Sequence, residues 1–443
     1  MALDVYSDTL LLLNKGGREI LNIIEEKGKL SLSELIQRSE IQRGDKTPDI
    51  KDAFQKLYSL YKEEALYAPP FEPDIDFSPE LKGMCLFIDG RCNLNCRYCF
   101  VKSKTLDDYL SPMSPKVAQK ALEFFLKNSI SEEVEVDFFG GEPLLNFEVL
   151  KETLLFGKSL AQNDGRKINF TLTTNATLLN PEVQDFLIEH DIETVFSLDG
   201  PPETNDLFRL DNSGKGTHSK ALKRTKEYTS KNPPPYYLRG TYTHETLNFS
   251  TATRYLFEEG FRVVSMEPVV GDPGEPFTLK DADILQVFSE YETLSRWFLE
   301  ELKNSKDLVF FHFLIDPLRG PDLTRRVGGC GAGREYLAIS PQGYIYPCHQ
   351  FVGEEWFIIG NVEEGFTNSP LREEFIALSF LKKDACKKCW VRFYCSGGCH
   401  ANHYFTSGSL YIPHKIECAI LQKRLEWSLW LKAKRLEEDK TTQ

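Results

Sequence analysis

The sequence predicts an α/β fold built on a partial (β/α)6 barrel of TIM type, with a smaller module on either side. Between residues 82 and 270, short apolar runs rich in β-forming residues alternate with segments of helical apolar spacing. Residues 1–67 combine two short apolar runs with helical segments, as in a winged helix. Seven of the eleven cysteines lie in residues 330–437, which we expect to form a cysteine-rich C-terminal domain.

Six βα-type units are expected in residues 82–270. The predicted strands are 84–88, 134–139, 168–174, 193–198, 236–243 and 262–266. Helices are predicted near 114–128, 146–162, 181–190, 217–230 and 250–259. This alternation implies a parallel sheet with right-handed crossovers, and six strands are fewer than a complete eight-stranded barrel has. Polar clusters follow several of these strands, and chemistry in such folds lies at the C-terminal strand ends.

The N-terminal module is expected to contain a strand pair and three helices. The runs MALDVYS and TLLLLN supply the strands, and helical spacing occurs at 16–27, 31–38 and 49–61. Ser31 and Glu34 have the spacing of a capping box. The proline-rich acidic segment 68–81 is predicted to be a linker. Residues 271–329 are predicted to bridge to the C-terminal domain, where YLAISPQGYIYPC indicates a hairpin and 416–437 a final helix.

Charge and hydropathy argue against two classes of partner. The 443-residue chain has a net charge of −13 and a pI near 5.3, whereas nucleic-acid binding needs a basic surface. No apolar run reaches the length of about 18 residues that a spanning helix requires. The N-terminus has neither the basic start nor the apolar core of a signal peptide. We therefore expect a cytoplasmic protein that binds neither nucleic acid nor membrane.

Three cysteines follow the first predicted barrel strand in the segment DGRCNLNCRYCF. Cys92, Cys96 and Cys99 are separated by three and then by two residues. A closed structural zinc site normally takes four protein ligands, so zinc would need a histidine or carboxylate from elsewhere. An iron–sulfur cubane held by three thiolates leaves one iron open, as catalysis requires. The spacing favours a catalytic cluster, whereas the isolated Cys85 is expected to be a core residue.

This CX3CX2C motif, with Tyr98 before its last cysteine, resembles the signature of radical S-adenosylmethionine (SAM) enzymes. The resemblance implies a 4Fe-4S cluster on the three cysteines, with SAM bound to the open iron. It also implies reductive cleavage of SAM to a 5′-deoxyadenosyl radical, which removes hydrogen from an unactivated carbon. A barrel suits this chemistry because such a radical must be shielded from solvent.

Further segments resemble the SAM-binding motifs of that family. The order Gly-Gly-Glu-Pro after the second strand resembles the motif for the SAM amine, and TTNAT and SLDGP follow the next two strands. Asn175 and Ser197 are expected on the ribose side, while Arg209 is a candidate for the SAM carboxylate and equally for a solvated surface charge. The implied SAM-binding residues are Tyr98, Gly140, Gly141, Glu142, Pro143, Thr173, Asn175, Ser197, Arg209, Glu267 and Val269.

The seven C-terminal cysteines form a second group. Two closed zinc sites would need eight ligands, so a zinc ribbon would need one of His349, His400 and His403 as well. The pattern resembles the SPASM (twitch-type) extension of radical SAM enzymes, which carries auxiliary 4Fe-4S clusters. The resemblance assigns one fully ligated auxiliary cluster to Cys386, Cys389, Cys395 and Cys418. It assigns a second one, with an open iron, to Cys330, Cys348 and Cys399.

Longer segments are very similar to SCIFF maturases, which are thioether-forming enzymes of the ranthipeptide type. They include VDFFGGEPLLNF, GCGAGREYLAISPQG and FYCSGGCHAN, and the similarity covers most of residues 82–430. It implies that residues 1–67 are a RiPP recognition element, which binds the leader of a ribosomally synthesised, cysteine-rich precursor peptide. It also implies three 4Fe-4S clusters, SAM, and an electron donor such as ferredoxin or flavodoxin.

These resemblances lead to a specific expected reaction. A substrate cysteine binds the open auxiliary iron, and the radical removes hydrogen from a β or γ carbon, which then bonds to the sulfur. Glu267 and His349 are candidate catalytic residues for a final deprotonation. The alternatives are epimerisation, carbon–carbon crosslinking or formylglycine formation by a related enzyme, and a non-catalytic zinc or leader-binding protein.

Overall fold

The fold is taken from a computed structural model. It describes residues 1–7, 9–28, 34, 48–70, 77–102, 109–304, 307–314 and 327–441. Except for Glu34, the predicted helix at 31–38 and its capping box lie outside these residues.

The N-terminal module contains the predicted strand pair and two of the predicted helices. Strands β1 (Ala2–Asp4) and β2 (Thr9–Leu11) are antiparallel, and helices α1 (Lys15–Lys27) and α2 (Pro48–Lys62) pack on each other. Helix α1 begins after Asn14, whose side chain accepts a hydrogen bond from the Gly17 amide and so caps the helix. Ile20, Ile23 and Leu57 form the centre of its small apolar core.

All six predicted barrel strands are present, they are parallel, and they pair in chain order. They are β3 (Gly83–Asp89), β4 (Glu133–Gly140), β5 (Lys167–Thr174), β6 (Glu193–Ser197), β7 (Tyr236–Tyr242) and β8 (Val263–Pro268). The intervening helices are α3 (Pro115–Lys127), α4 (Phe147–Asn163), α5 (Pro181–Glu189), α6 (Pro202–Phe208), α7 (His218–Thr229) and α8 (Phe249–Glu258). Helices α3 and α5 start at the side-chain caps Ser114 and Asn180, each followed by proline. Only the short α6 was not predicted.

Alternation along each strand separates a packed face from a functional face. Leu86, Phe138 and Leu172 are buried in the main apolar core together with residues of the surrounding helices. Residues one position further along, such as Thr173 and Phe139, instead line a cavity at the C-terminal strand ends. The sheet is therefore covered by helices on one side and carries polar groups on the other.

The C-terminal region extends the barrel sheet, which the sequence did not reveal. Strand β10 (Tyr336–Ile339) pairs in parallel with β3, and β11 (Tyr344–Tyr346), β12 (Gly360–Asn361) and β13 (Gly365–Phe366) continue it as an antiparallel meander. The predicted hairpin is confirmed as β10–β11. At the other edge, β9 (Val309–Phe310) pairs with β8, giving eleven strands in the described part of the chain.

The remaining described helices lie in the bridge and the cysteine-rich domain. They are α9 (Ile284–Asn304), α10 (Ser369–Ile376), α11 (Asp384–Lys387), α12 (Arg392–Cys395), α13 (His400–Ser407) and α14 (Lys415–Thr441). Helix α9 lies in the predicted bridge and packs against α14, which corresponds to the predicted final helix. None of the helices within the described ranges is both long enough and apolar enough to cross a membrane.

Candidate active site

A cavity of roughly 150 Å³ lies at the C-terminal ends of strands β3 to β8. Every one of the six strands, or the loop after it, contributes to its wall. The predicted site residues in the wall are Cys92, Cys96, Tyr98, Cys99, Gly140, Gly141, Thr173, Asn175, Ser197, Arg209 and Val269. Glu142, Pro143, Glu267 and His349 were predicted at the same site but do not line the cavity.

The cysteine loop after β3 is held by the segment after β5. The Asn175 side-chain amide donates to Oδ1 of Asn93 at 3.0 Å, and the Asn93 amide donates to the Thr177 hydroxyl at 2.8 Å. Within the loop, the Leu94 amide points to the Cys92 sulfur at 3.3 Å. Hydrogen bonds to the sulfurs of an iron–sulfur cluster tune the reduction potential of the cluster. The Leu94 amide is placed to make such a bond when Cys92 holds a cluster iron.

The glycine pair of the Gly-Gly-Glu-Pro motif is needed by the cysteine loop itself. Gly140 has a φ of 136°, and a Cβ there would lie 2.2 Å from the Asp89 carbonyl oxygen. A Cβ on Gly141 would lie 2.3 Å from the carbonyl oxygen of Arg91. The two glycines therefore permit close approach of one backbone segment to another.

Glu142 joins three segments beneath the cavity. Its carboxylate is fully buried and accepts hydrogen bonds from the Thr174 hydroxyl and the Asn175 amide, both at 2.8 Å, and from the Leu144 amide at 3.1 Å. Burial raises the pKa of Glu142 to about 7, and these hydrogen bonds only partly oppose the rise. The carboxylate therefore positions the loops after β4 and β5, and Pro143 follows it as a buried residue.

Tyr98, Asp199 and Arg209 form a second buried polar group at the site. The Tyr98 hydroxyl donates to Asp199 at 2.5 Å, and Arg209 donates to the Tyr98 oxygen at 2.9 Å. The other Asp199 oxygen accepts from the Thr241 amide at 3.0 Å. Only 11% of the Arg209 side chain is exposed, so it is not the solvated surface charge that the sequence left open. Burial raises the pKa values of Tyr98 and Asp199.

Glu267 belongs to a charged cluster outside the cavity wall. Its carboxylate lies 3.1 Å from the Arg424 guanidinium and 3.3 Å from Nε2 of His312. Burial would raise the pKa of Glu267, but His312, Arg424 and Arg239 outweigh it and lower the pKa to about 2. A carboxylate that is paired and this weakly basic is a poor general base, which argues against the predicted catalytic role.

His349 lies behind the cavity wall. Its ring centroid is 5.1 Å from that of Phe139 and 6.1 Å from that of Phe100, and both phenylalanines line the cavity. The next residue, Gln350, reaches the cavity as well. His349 also follows Cys348 directly, so this aromatic wall separates the SAM-motif cavity from one of the C-terminal cysteines.

The sequence analysis missed two polar residues of β7 that line the cavity. Arg239 and Thr241 have the period of two that places side chains on one face of a strand, while Leu238, Gly240 and Tyr242 are buried on the other. The alternation of Arg and Thr with apolar residues was the signal that could have identified them.

The C-terminal cysteines separate into the two predicted sets. Cys399 lies close enough to Cys330 and Cys348 for their thiolates to raise its pKa, and burial adds the largest part. In the same way Cys418 interacts with Cys395, Cys386 and Cys389. We call these the trio (Cys330, Cys348, Cys399) and the quartet (Cys386, Cys389, Cys395, Cys418). All eleven cysteines are described, and none is in a disulfide.

The chemistry of these cysteines fits iron–sulfur clusters. Burial raises the pKa values of Cys92, Cys395 and Cys418 to about 12, so a thiolate at these positions needs a cation beside it. Irons of a cluster supply that charge.

Comparison with known proteins agrees with this geometry. Residues 87–248 match the radical SAM superfamily, and residues 330–390 match the SPASM iron–sulfur cluster-binding domain. The chain therefore contains a radical SAM domain and a SPASM domain, and these domains imply SAM and 4Fe-4S clusters as cofactors, including auxiliary ones. The three cysteines of the first loop and those of the trio and quartet are the residues that would hold the clusters.

Two curated relatives cover most of this chain. It is 29% identical over 327 residues to the cysteine-type anaerobic sulfatase-maturating enzyme of Clostridium perfringens, covering 70% of this chain and 85% of that enzyme. It is 22% identical over 403 residues to the radical SAM cyclopropyl synthase TigE of Paramaledivibacter caminithermalis, covering 86% and 82%.

Solved structures share the fold. The enzyme anSMEcpe with bound AdoMet and Cp18Cys peptide has a TM-score of 0.65 at 21% identity, covering 81% of this chain and all of that one. SuiB of Streptococcus suis bound to the precursor peptide SuiA has a TM-score of 0.56 at 17% identity, covering 92% and 93%. The predicted fold class is confirmed by these neighbours.

Proposed function

We propose that this protein is a peptide maturase that forms thioether bonds between a cysteine sulfur and a β or γ carbon of a ribosomally synthesised precursor peptide. The observation that carries this proposal is the trio, which has one thiolate fewer than a cubane needs. Cys330 of the trio is exposed, whereas Cys386 of the quartet is 8% exposed. A peptide thiolate is a suitable fourth ligand at an exposed site because thiolates bind cluster irons strongly.

SAM would occupy the cavity beside the cysteine loop. The polar wall supports this assignment, because the buried Arg209 provides a cation for the SAM carboxylate and Ser197 provides a hydroxyl. With SAM and its cluster bound, the site supplies a 5′-deoxyadenosyl radical. The proposed SAM contacts are those predicted residues that line the cavity, namely Tyr98, Gly140, Gly141, Thr173, Asn175, Ser197, Arg209 and Val269.

The wall between the cavity and the trio would decide where the substrate lies. Phe139 and Phe100 face the cavity and also pack on His349, the neighbour of Cys348. A peptide that spans this wall would present its acceptor carbon to the cavity and its thiol to the trio. The carbon gives one hydrogen atom to the deoxyadenosyl group, the thiol gives its proton to solvent, and one electron passes to the auxiliary cluster as the carbon–sulfur bond forms.

Because the acceptor carbon gives up a hydrogen atom, no proton has to be removed from it. A substrate thiol bound to a cluster on the trio would already have given up its proton, so a strong base beside the acceptor carbon is unnecessary. Glu267, which is paired with Arg424, is therefore assigned no catalytic step. His349, which follows Cys348 in the chain, remains the candidate that would relay the thiol proton to solvent.

We further propose that residues 1–67 bind the leader of the precursor. The module is anchored beside the quartet, since Tyr6 packs on Phe393 at 6.0 Å between ring centroids and Arg392 lies 4.8 Å from the Tyr6 ring. A leader held there raises the local concentration of the core peptide near the trio. Reductive cleavage of SAM also needs a low-potential donor, for which ferredoxin or flavodoxin is the proposed class.

The test is an anaerobic reaction of the purified, cluster-loaded protein with SAM, a reductant and a cysteine-rich precursor peptide encoded beside its gene. Mass spectrometry combined with thiol alkylation should show one hydrogen pair lost and one cysteine protected from alkylation for every crosslink. A SAM-dependent product whose thiols all remain reactive would contradict the thioether assignment, as would an unchanged peptide mass.

Cys85 is the local alternative to a substrate thiolate. It is buried on β3, and Tyr336 and Cys348 are close enough to influence its pKa, which burial raises. If the trio is completed by substrate, Cys85→Ser should keep the full iron content and auxiliary-cluster spectrum, and added peptide should still change that spectrum. Loss of one cluster in this variant would mean that Cys85 is the missing ligand.

Formylglycine formation is the second candidate, because the sulfatase-maturating relative is similar over 85% of its length. Oxidation of a substrate cysteine to formylglycine removes its sulfur and creates an aldehyde. A hydrazide probe would label that product and would not label a thioether. Labelling together with loss of sulfur from the peptide would favour this candidate over ours.

A further inference from the structure

Lys383 is a lysine whose side chain is completely buried in the cysteine-rich domain. Its Nζ atom lies 2.8 Å from the Gly397 carbonyl oxygen, 3.0 Å from Nδ1 of His403 and 3.2 Å from Nδ1 of His400. An ammonium group has three N–H donors and no acceptor, so these three acceptors match it one for one. Both imidazoles must then be neutral, and the positive charge of the group belongs to Lys383.

The carbonyl that Lys383 binds lies between the two auxiliary cysteine sets. Gly397 is in the segment Cys-Ser-Gly-Gly-Cys that runs from Cys395 of the quartet to Cys399 of the trio. The φ angles of Ser396, Gly397 and Gly398 are 56°, 88° and 74°, so three consecutive residues are left-handed. This tight curl turns the Gly397 carbonyl toward the lysine, and two of its three positions are glycine, as such φ angles favour.

Lys383 is also near the thiols themselves. Burial lowers the pKa of Lys383, while Cys386 and Cys395 of the quartet, the buried Glu417 and Cys330 of the trio are near enough to raise it. The backbone connects it to the quartet as well, since the Cys386 amide donates to the Lys383 carbonyl at 2.8 Å. One buried cation thus faces both places where auxiliary clusters would be held.

We propose that the positive charge of Lys383 raises the reduction potential of the auxiliary clusters. Reduction adds negative charge to a cluster, and a fixed positive charge in a poorly screened interior stabilises the reduced form. Neither imidazole can substitute, because both serve as neutral acceptors that hold the ammonium in place. The inference depends on the auxiliary clusters and is independent of which peptide product is formed.

The test compares Lys383→Met with Lys387→Met in the full-length protein carrying Cys92→Ala, Cys96→Ala and Cys99→Ala, so that only auxiliary clusters contribute. Lys387 is the matched control, because it lies four residues away, is 51% exposed and pairs with Asp384. The reduction potentials of the auxiliary clusters are measured by redox titration without SAM or peptide, and electron paramagnetic resonance monitors the reduced clusters. Lys383→Met should lower the equilibrium constant for reduction of an auxiliary cluster roughly tenfold, which is about 59 mV for one electron.

Two further variants keep the test decisive. Lys383→Arg retains the charge and should keep the parent potentials, whereas the neutral Lys383→Gln should shift them as Lys383→Met does. Unchanged potentials in a fully loaded Lys383→Met protein, or an equal shift in Lys387→Met, would overturn the proposal. Loss of the clusters in both neutral variants would also overturn it, because Lys383 would then be needed to build the sites. A wrong thioether assignment would leave all of these measurements unaffected.

Discussion

The SAM-side site and the trio each provide three cysteines, but the chain builds them differently. Cys92, Cys96 and Cys99 belong to one eight-residue stretch at the end of β3. Cys330, Cys348 and Cys399 come from three segments separated by a hairpin and several short helices. The first site is thus nearly complete in local sequence, while the second exists only when β10, β11 and α13 are assembled.

The difference extends to how each site is held. The cysteine loop is tied to the barrel by buried polar contacts, through Asn175 and Glu142 on one side and Tyr98 with Asp199 on the other. The trio is held by the packing of the C-terminal domain on β3, and Cys330 remains exposed. Cys92, Cys96 and Cys99 are partly buried, whereas the exposed Cys330 leaves the trio open to a thiol that approaches from solvent.

The largest expected effect separates the two sites completely. Replacing Cys92, Cys96 and Cys99 by alanine should abolish SAM cleavage and remove about four irons per chain, while about eight irons remain in the other sites. The auxiliary cysteines share no loop with this segment, so their clusters should persist. Iron and sulfide analysis with a deoxyadenosine assay provides the measurement, and loss of all clusters would show that the sites are interdependent.

Cys399→Ala should uncouple the two sites. We expect SAM cleavage to continue at a comparable rate, whereas peptide crosslinking should fall by roughly a hundredfold or more, since even changes beside a metal ligand reach that size. Deoxyadenosine and crosslinked peptide are quantified in the same reaction. Cys85→Ser is the control, because it changes a buried thiol outside both cysteine sets. Equal loss of both products would contradict the assignment.

Glu142 should make the stability of the contacts that hold the cysteine loop dependent on pH. Its folded-state pKa of about 7 is above the ordinary value of 4.5, so the folded chain favours the protonated form. Its contribution to stability is therefore full below about pH 4.5 and is lost as the pH rises toward 7. Relative to Glu142→Gln, the free energy of unfolding of the parent should fall by up to roughly 3 kcal/mol across this window. Urea unfolding at several pH values tests this, and a constant difference would contradict it.

The smallest effect is expected for the contact between Tyr98 and Asp199. Asp199→Asn leaves one oxygen where two accept from the Tyr98 hydroxyl and the Thr241 amide, and it removes the charge near Arg209, so it should cost about 2 kcal/mol of unfolding free energy and weaken SAM binding. Asp185→Asn is the control, because Asp185 is 69% exposed in a surface pair with Lys231. Chemical unfolding and SAM titration measure the two effects. Equal behaviour of the two variants would mean that this polar group does not support the site.

Sequence reasoning was most successful where the pattern is local. The strand–helix alternation predicted all six barrel strands within about two residues, and the cysteine spacing located the first site. Sequence-based prediction failed where the role of a residue depends on whether its side chain is buried. Arg209 could not be separated from a surface charge, Glu267 was expected at the SAM site although Arg424 from the final helix neutralises it, and Lys383 attracted no attention.

The class of chemistry could be predicted because a cluster motif, a glycine pair and strand periodicity are each encoded in a few neighbouring residues. The packed chain alone shows which C-terminal cysteines lie near each other, that β10 pairs with β3 of the barrel sheet, and that Lys383 lies near both cysteine sets. The physical reason is that coordination and charge depend on distances in space and on exclusion of water. Residues as far apart as Cys330 and Cys399 acquire both only when the chain has packed.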